Sequence, residues 1–206
     1  MARQLQRTPH ERVDDVRRAV LDSALDIIAH EGANAVSMRE VARRAGVSHQ
    51  APYHYFVDRA GIFAAIAEEG FTQFTAVFRE VLDTSSDPLL GCLQAYVHFA
   101  TTHIGHYRVM FQSDICGIET HPPTQAAADK AFLALLDLAE VISSPTDAQP
   151  NSMLLPITLW SHAHGLATLL IDGPLLKKLP EGTQPDDLIQ QVAQFFSRSI
   201  RAEINN

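Results

Sequence analysis

Apolar residues in the first third of the chain recur every three or four positions. Short polar runs that hold glycine, serine or aspartate break the pattern. From about Arg12 to Glu31, the positions Val13, Val16, Val20, Leu21, Ala24, Ile27 and Ile28 trace one helical stripe, which stops at Gly32. Ser37 and Glu40 have the S-x-x-E spacing of a capping box, in which two otherwise orphaned backbone donors are satisfied reciprocally. That box opens a short helix whose small apolar face is Val41, Ala42 and Ala45. Gly46 follows, where a left-handed residue commonly closes a helix. Ser48 is the expected N-cap of a second short helix running toward Phe56. Two short helices on a tight turn make a helix-turn-helix, which lays its second helix in the major groove of DNA.

The pattern continues as helix to the end. Asp58-Arg59 opens a long stripe through Ile62, Phe63, Ile66, Phe71, Phe74, Val77, Phe78 and Val81. Asp87-Pro88 combines an N-cap with a proline at the first helical position, ahead of Leu89, Leu90, Leu93, Tyr96, Val97, Phe99 and Ala100. A further helix starts near Thr124, and a proline-bearing loop is expected over Ser143 to Asn151. Met153 to Leu170 and Asp186 to Ile204 are the last two long helices. Period-two alternation is almost absent. The expected fold is all-α: a three-helix head over residues 1–60, joined by a long helix to a helical bundle over residues 61–206.

The first helix, the run Gly32-Ala33-Asn34-Ala35-Val36-Ser37-Met38-Arg39-Glu40-Val41-Ala42, the Ala45-Gly46-Val47-Ser48 turn, the Tyr53-x-Tyr55-Phe56 ending and Asp58-Arg59 occur in order. Together they resemble the TetR family of bacterial transcriptional repressors over roughly residues 12–80. Within the body, His106-Tyr107-Arg108-Val109-Met110-Phe111 looks like a segment found in many such proteins. Trp160-Ser161-His162-Ala163-His164-Gly165 is similar to the Trp-His-Gly signature of one TetR subgroup.

Charge fits a protein that touches DNA at one end. Residues 1–60 hold nine Arg or Lys and eight Asp or Glu, against seven and sixteen in the remainder. An acidic body on a less acidic head excludes a protein coated in base, such as one that wraps nucleic acid. No export signal is seen at the N-terminus, and Pro156, Ser161, His162 and His164 interrupt the most apolar stretch, so no membrane partner is expected. Cys92 and Cys116 form no disulfide framework, and with no export signal the reducing cytoplasm is the expected compartment.

On helix-turn-helix geometry, His49 and Gln50 follow the cap at Ser48 and point into the groove, where Gln pairs with adenine and His donates to guanine. The resemblance adds Arg39 as a base contact and Arg59 as a phosphate contact; Tyr53 and His54 project from the same recognition segment. Arg43 and Arg44 are open between a solvated face and phosphate contact. Pro52 departs from the commonest family pattern, but near the first turn it forfeits at most one intrahelical bond. Arg3 and Arg7 are read as a disordered tail rather than a minor-groove arm.

What else the resemblance implies is a homodimer on palindromic operator DNA, released by a small-molecule effector, with no cofactor and no catalysis. The effector-lining candidates are Phe74, Tyr96, Phe99, His103, Met110, Phe111, Trp160 and His164. The dimer candidates are Leu166, Leu169, Leu170, Leu188, Val192, Phe195 and Phe196. Two alternatives keep the DNA-binding head. One is a metal sensor using His98, His103, His106, His121, His162, His164, Cys92, Cys116 or Asp114; the other is a thiol sensor using the two cysteines. A helical-bundle enzyme is the distant third, since no nucleophile elbow or phosphate loop occurs.

Overall fold

The computed structural model describes residues 9–112, 115, 117–143, 153–173 and 175–204, with side chains described from residue 15 onward. Its helices are α1 (Pro9–Glu31), α2 (Met38–Arg44), α3 (Arg59–Thr84), α4 (Pro88–Thr102), α5 (Ile104–Met110), α6 (Pro122–Ile142), α7 (Leu154–Ile171) and α8 (Pro185–Ile204). No strand occurs among the described residues. Most of the expected loop at 143–151 lies outside them, as do Arg3, Arg7, Asp114 and Cys116.

Local chemistry sets several boundaries. The Asp58 carboxylate accepts the Gly61 amide at 3.0 Å and caps α3, while Asp87 accepts the Leu90 amide at 3.1 Å and caps α4 ahead of Pro88. The end of α2 is a full Schellman closure. The Gly46 amide donates to the Arg43 carbonyl, the Val47 amide donates to Ala42, and Gly46 takes φ 67°.

Packing divides the chain into two compact units, Met1–Gly70 with Ile104–Gln125 and Phe71–His103 with Ala126–Asn206. The division passes inside α3 and α6, because α5 packs on α1 and joins the head unit. The head core is Val20, Leu21, Ala24, Ile27 and Ile28 of α1 against Val41, Phe56, Ile62, Phe63 and Ile66, all buried. In the body unit, α4 packs against α7 and α8 through Val97, Leu166, Leu170 and Ile189. By length and composition α7 is able to cross a membrane, with a mean hydropathy of 1.3. Here its Leu159, Ala163, Leu166, Ala167 and Leu170 side is buried in the bundle.

Candidate nucleic-acid interface and effector site

The start of α2 follows half of the expected capping box. The Glu40 amide donates to Ser37 Oγ at 3.2 Å, but the Glu40 carboxylate turns away from the cap. It accepts Arg43 Nη2 at 2.6 Å and Arg44 Nε at 2.8 Å. Hydrogen bonds from Arg43 and then Arg44 hold its pKa down at about 2. Arg44 also reaches Glu31 at 2.5 Å and Asp26 at 3.3 Å on the last turns of α1. Both arginines therefore have carboxylate partners within the head, and Arg44 ties α2 to α1.

The expected recognition helix is a correction. Residues after Gly46 form turns and a short 3-10 helix, Ala51–His54, with no side-chain cap. Ser48 takes part through its carbonyl, which accepts the Ala51 amide at 2.9 Å. Pro52 supplies the reason. It has no amide to donate back to the Ser48 carbonyl, and in an α-helix its ring would press on that carbonyl, so the tighter three-residue turn wins. Pro52 itself is buried, and the Tyr55 and Phe56 amides close back onto its carbonyl at 3.1 and 2.9 Å.

On this frame Arg39, Ser48, His49, Gln50, Tyr53, His54 and Arg59 are all exposed. The His49 and Tyr53 rings tilt against each other at 6.1 Å between centroids. The Arg59 guanidinium lies over the Phe63 ring at 5.3 Å and donates to the Val36 carbonyl at 3.5 Å, which aims its stem from the buried core. Phe56 is buried beneath Arg17, and Tyr55 is half-buried. One surface feature escaped the sequence reading: Val57 is 89% exposed beside the cap of α3.

The effector candidates fall into separate groups. Phe74 meets Tyr96 and Phe99 edge-on at 5.2 and 5.4 Å, and Phe99 stacks on His103 at 4.5 Å. Tyr96 Oη and His164 Nδ1 share a hydrogen bond of 2.9 Å. Desolvation lowers the pKa of His164, which favours its neutral form. Trp160 is 38% exposed and faces Phe132 of α6 at 6.3 Å. Met110 and Phe111 belong to the head unit, where Met110 is buried against Gly70 and Phe111 meets Tyr107. A cavity of about 220 Å³ in the body unit is lined by Ser86, Pro88, Val141, Ile142, Arg201 and Ile204, none of which is an effector candidate.

The dimer candidates separate as well. Leu166 and Leu170 fill the body's own core, with Leu188 and Val192 packed against it. Phe196 lies flat on His162 at 3.6 Å. Leu169 and Phe195 remain exposed, at 48% and 67%.

For the sensing alternatives, no group of three His, Cys, Asp or Glu side chains gathers to hold a metal among the described residues. Cys92 is buried, and desolvation pushes its thiol pKa up to about 12, the reverse of what a reactive thiolate needs.

Two family models match the chain. Residues 20–66 match "Bacterial regulatory proteins, tetR family", and residues 89–196 match "Tetracyclin repressor-like, C-terminal domain". The chain belongs to the TetR family. The second match does not confirm the Trp-His-Gly subgroup. Among curated relatives, the HTH-type transcriptional activator FasR of Mycolicibacterium smegmatis is 27% identical over 127 residues, 60% of this chain and 57% of FasR. The HTH-type transcriptional regulator BetI of Rhizobium meliloti is 43% identical over 49 residues, 24% of each chain. This TetR-family chain thus spans a little over half of FasR and about a quarter of BetI. Two solved structures share the fold. A protein of unknown function from Rhodococcus sp. RHA1 has a TM-score of 0.68 and 22% identity, covering 96% of this chain and 98% of that one. The fatty acid degradation regulator FadR from Bacillus halodurans has a TM-score of 0.69 and 15% identity, covering 96% and 99%. The family is one of transcriptional regulators rather than enzymes.

Proposed function

We propose that this TetR-family regulator works in the cytoplasm as a homodimer on a palindromic operator, and that a small molecule bound in the body releases it. The observation that carries this reading is the contrast along α7. One side of that helix is buried, while Leu154, Ile157 and Leu169 stand exposed on the other with Ser161 and Gly165 between them. A Cβ added to Gly165 meets nothing within 4 Å, so a second helix has room to cross there. Phe195 of α8 is a further exposed apolar anchor. Burying these residues against a second copy gives a two-fold interface, the commonest closed form of oligomer. Two heads about 34 Å apart then read successive major grooves on one face of a duplex.

In this reading Gln50 and His49 read bases, Arg39 reaches a flanking base, and Tyr53, His54, Ser48 and Arg59 fix the register on the backbone. Division of the chain at residue 60 remains the functional boundary we propose, with reading before it and sensing and pairing after it. The effector is held by the Phe74, Tyr96, Phe99, His103 and His164 cluster, an aromatic site with an uncharged polar pair. It must prefer one state of the body by several kcal/mol to empty the operator, since about 5.5 kcal/mol moves a population from 1:99 to 99:1. A second reading, activation, is favoured by one observation: FasR is a transcriptional activator. The place of the operator relative to the promoter sets the sign.

Selection of bound fragments from random DNA at near-physiological salt tests the proposal. One enriched palindrome with half-sites a helical turn apart is the expected result. Enrichment of a single unpaired half-site would overturn the dimeric reading, and no enrichment would overturn specific operator reading by the chain alone.

A further inference from the structure

We infer that Arg108, a residue of α5 far from any DNA-facing side chain in sequence, is a positioning residue for operator reading. It acts through the end of α1. A helix leaves its last four carbonyls without intrahelical partners. In α1 two carbonyls at this end are met from outside: Arg108 Nη1 donates to Ile28 O at 3.0 Å and to Ala29 O at 2.7 Å, across 80 and 79 residues of sequence. The Ile28 carbonyl also accepts the Gly32 amide at 3.2 Å, at the turn where the chain leaves the helix. A guanidinium suits this place because its positive charge meets the negative end of the helix dipole and the two N–H groups of one Nη reach neighbouring carbonyls.

The seat of α5 is built for this contact. A Cβ added to Gly105 would lie 2.8 Å from the Leu25 carbonyl oxygen, so the α5 backbone comes against α1 only because that residue is glycine. On the other side, a Cβ on Gly70 of α3 would meet Met110 Sδ at 2.7 Å and His106 Cβ at 3.1 Å. His106 is itself buried, with its Nε2 3.7 Å from Glu69, a carboxylate that also accepts Arg18 of α1 at 2.8 Å. Three helices of the head unit therefore fix where Arg108 sits.

The consequence for reading runs through Arg44. Arg44 grips the same end of α1 by its carboxylates, Asp26 and Glu31, while Arg108 grips it by its carbonyls. Arg44 is the last residue of α2, and the Schellman closure passes from there directly into the turn that carries His49, Gln50 and Tyr53. If the end of α1 loosens, the frame that orients α2 against the recognition turn loosens with it. The reading side chains stay chemically intact but lose their common register.

The test uses the full chain with Arg108→Met, which keeps the stem and removes the donors, and Arg108→Lys, which keeps one charged donor. Hydrogen exchange needs no DNA. Arg108→Met should speed exchange at the amides of Arg39 to Val47 more than tenfold while leaving Phe63 to Ala67 unchanged. Equal rates in both segments would overturn the inference. On a DNA site selected by the wild-type chain, Arg108→Met should bind about tenfold more weakly, with unchanged affinity for unrelated DNA and an unchanged salt slope. Arg108→Lys should recover part of that loss and bind roughly threefold more weakly than the wild-type chain. Were Arg108→Met not to fold, Arg108→Lys alone decides: a ratio of selected to unrelated binding about threefold below wild type supports the role. An unchanged ratio with only a lowered melting temperature makes Arg108 a structural cap and ends the proposal. The inference rests on DNA reading by the head but not on dimerisation or effector release, so its exchange arm stands even if those fail.

Discussion

The reading candidates of the head and the aromatic cluster of the body are built in opposite ways. In the head, all seven reading candidates are exposed, each projecting from a small scaffold whose own apolar groups are buried. In the body, Phe74, Tyr96 and Phe99 are buried against one another, and His164 is hydrogen-bonded to Tyr96. A surface that meets a duplex must offer donors and apolar edges before the duplex arrives. A site that encloses an effector can satisfy its own groups until then, and each aromatic contact there is replaced rather than newly made.

The largest effect that sharpens this contrast lies within the body. Leu166→Ala empties a core position and should cost about 2–5 kcal/mol of stability, read by thermal or denaturant unfolding. Phe195→Glu changes an exposed residue and should leave unfolding of the isolated subunit nearly untouched. Sedimentation should instead show monomers, and operator affinity should collapse. If Phe195→Glu stays dimeric, α8 is not part of the pairing surface.

A smaller effect divides the head. Gln50→Ala should cost roughly 1–3 kcal/mol of binding at one base pair per half-site and relax the preference there. Arg59→Ala should weaken binding to every sequence alike and lower the magnitude of the salt slope by about one. Identical behaviour of the two variants on all sequences would erase the division between base and backbone roles.

The smallest effect is a separation in acid. His162 and His164 have pKa values lowered by desolvation, so the folded body favours their neutral forms. The unfolded chain takes up those protons near the ordinary value of about 6.5, so this contribution is whole above that pH and declines as pH falls toward the lowered values. Glu40 in the head has its pKa depressed to about 2 by Arg43 and Arg44, so its contribution holds until about pH 4.5 and is lost as pH falls through 2. Unfolding followed separately by Trp160 emission and by exchange in α2 should show the body weakening first. Simultaneous loss across pH 7 to 5 would contradict the assignment.

Features held by near neighbours in sequence were legible before the structure. The caps at Asp58 and Asp87 and the closure at Gly46 span three to five residues, and composition at those positions states them. Glu40 was half-read: its i+3 and i+4 arginines were in view, yet the capping box competed for the same carboxylate and lost to two charged donors. At Pro52 the effect of the ring on the Ser48 carbonyl matters more in a segment this short than the one missing amide does. The Arg108 and Tyr96–His164 contacts span 80 and 68 residues and leave no periodic trace. Periodicity likewise found the apolar stripes of α7 and α8 without saying which stripe the subunit itself covers. Leu166 and Leu170 share a stripe in sequence with Leu169, yet only Leu169 is exposed, as are Leu154 and Ile157.

Because the head unit ends at Gln125 and the body unit resumes at Ala126, the order of synthesis gives the two units different histories. All of the head unit has been made once residue 125 is added, whereas α7 and α8 of the body are still to come. At about 5–20 residues per second, the stretch from Ala126 to Ile204 takes roughly 4–16 s. Through that interval Val97 and its neighbours on α4 wait for Leu166, Leu170 and Ile189. A ribosome that stalls within this stretch leaves the head unit made while the apolar face of α4 is still uncovered.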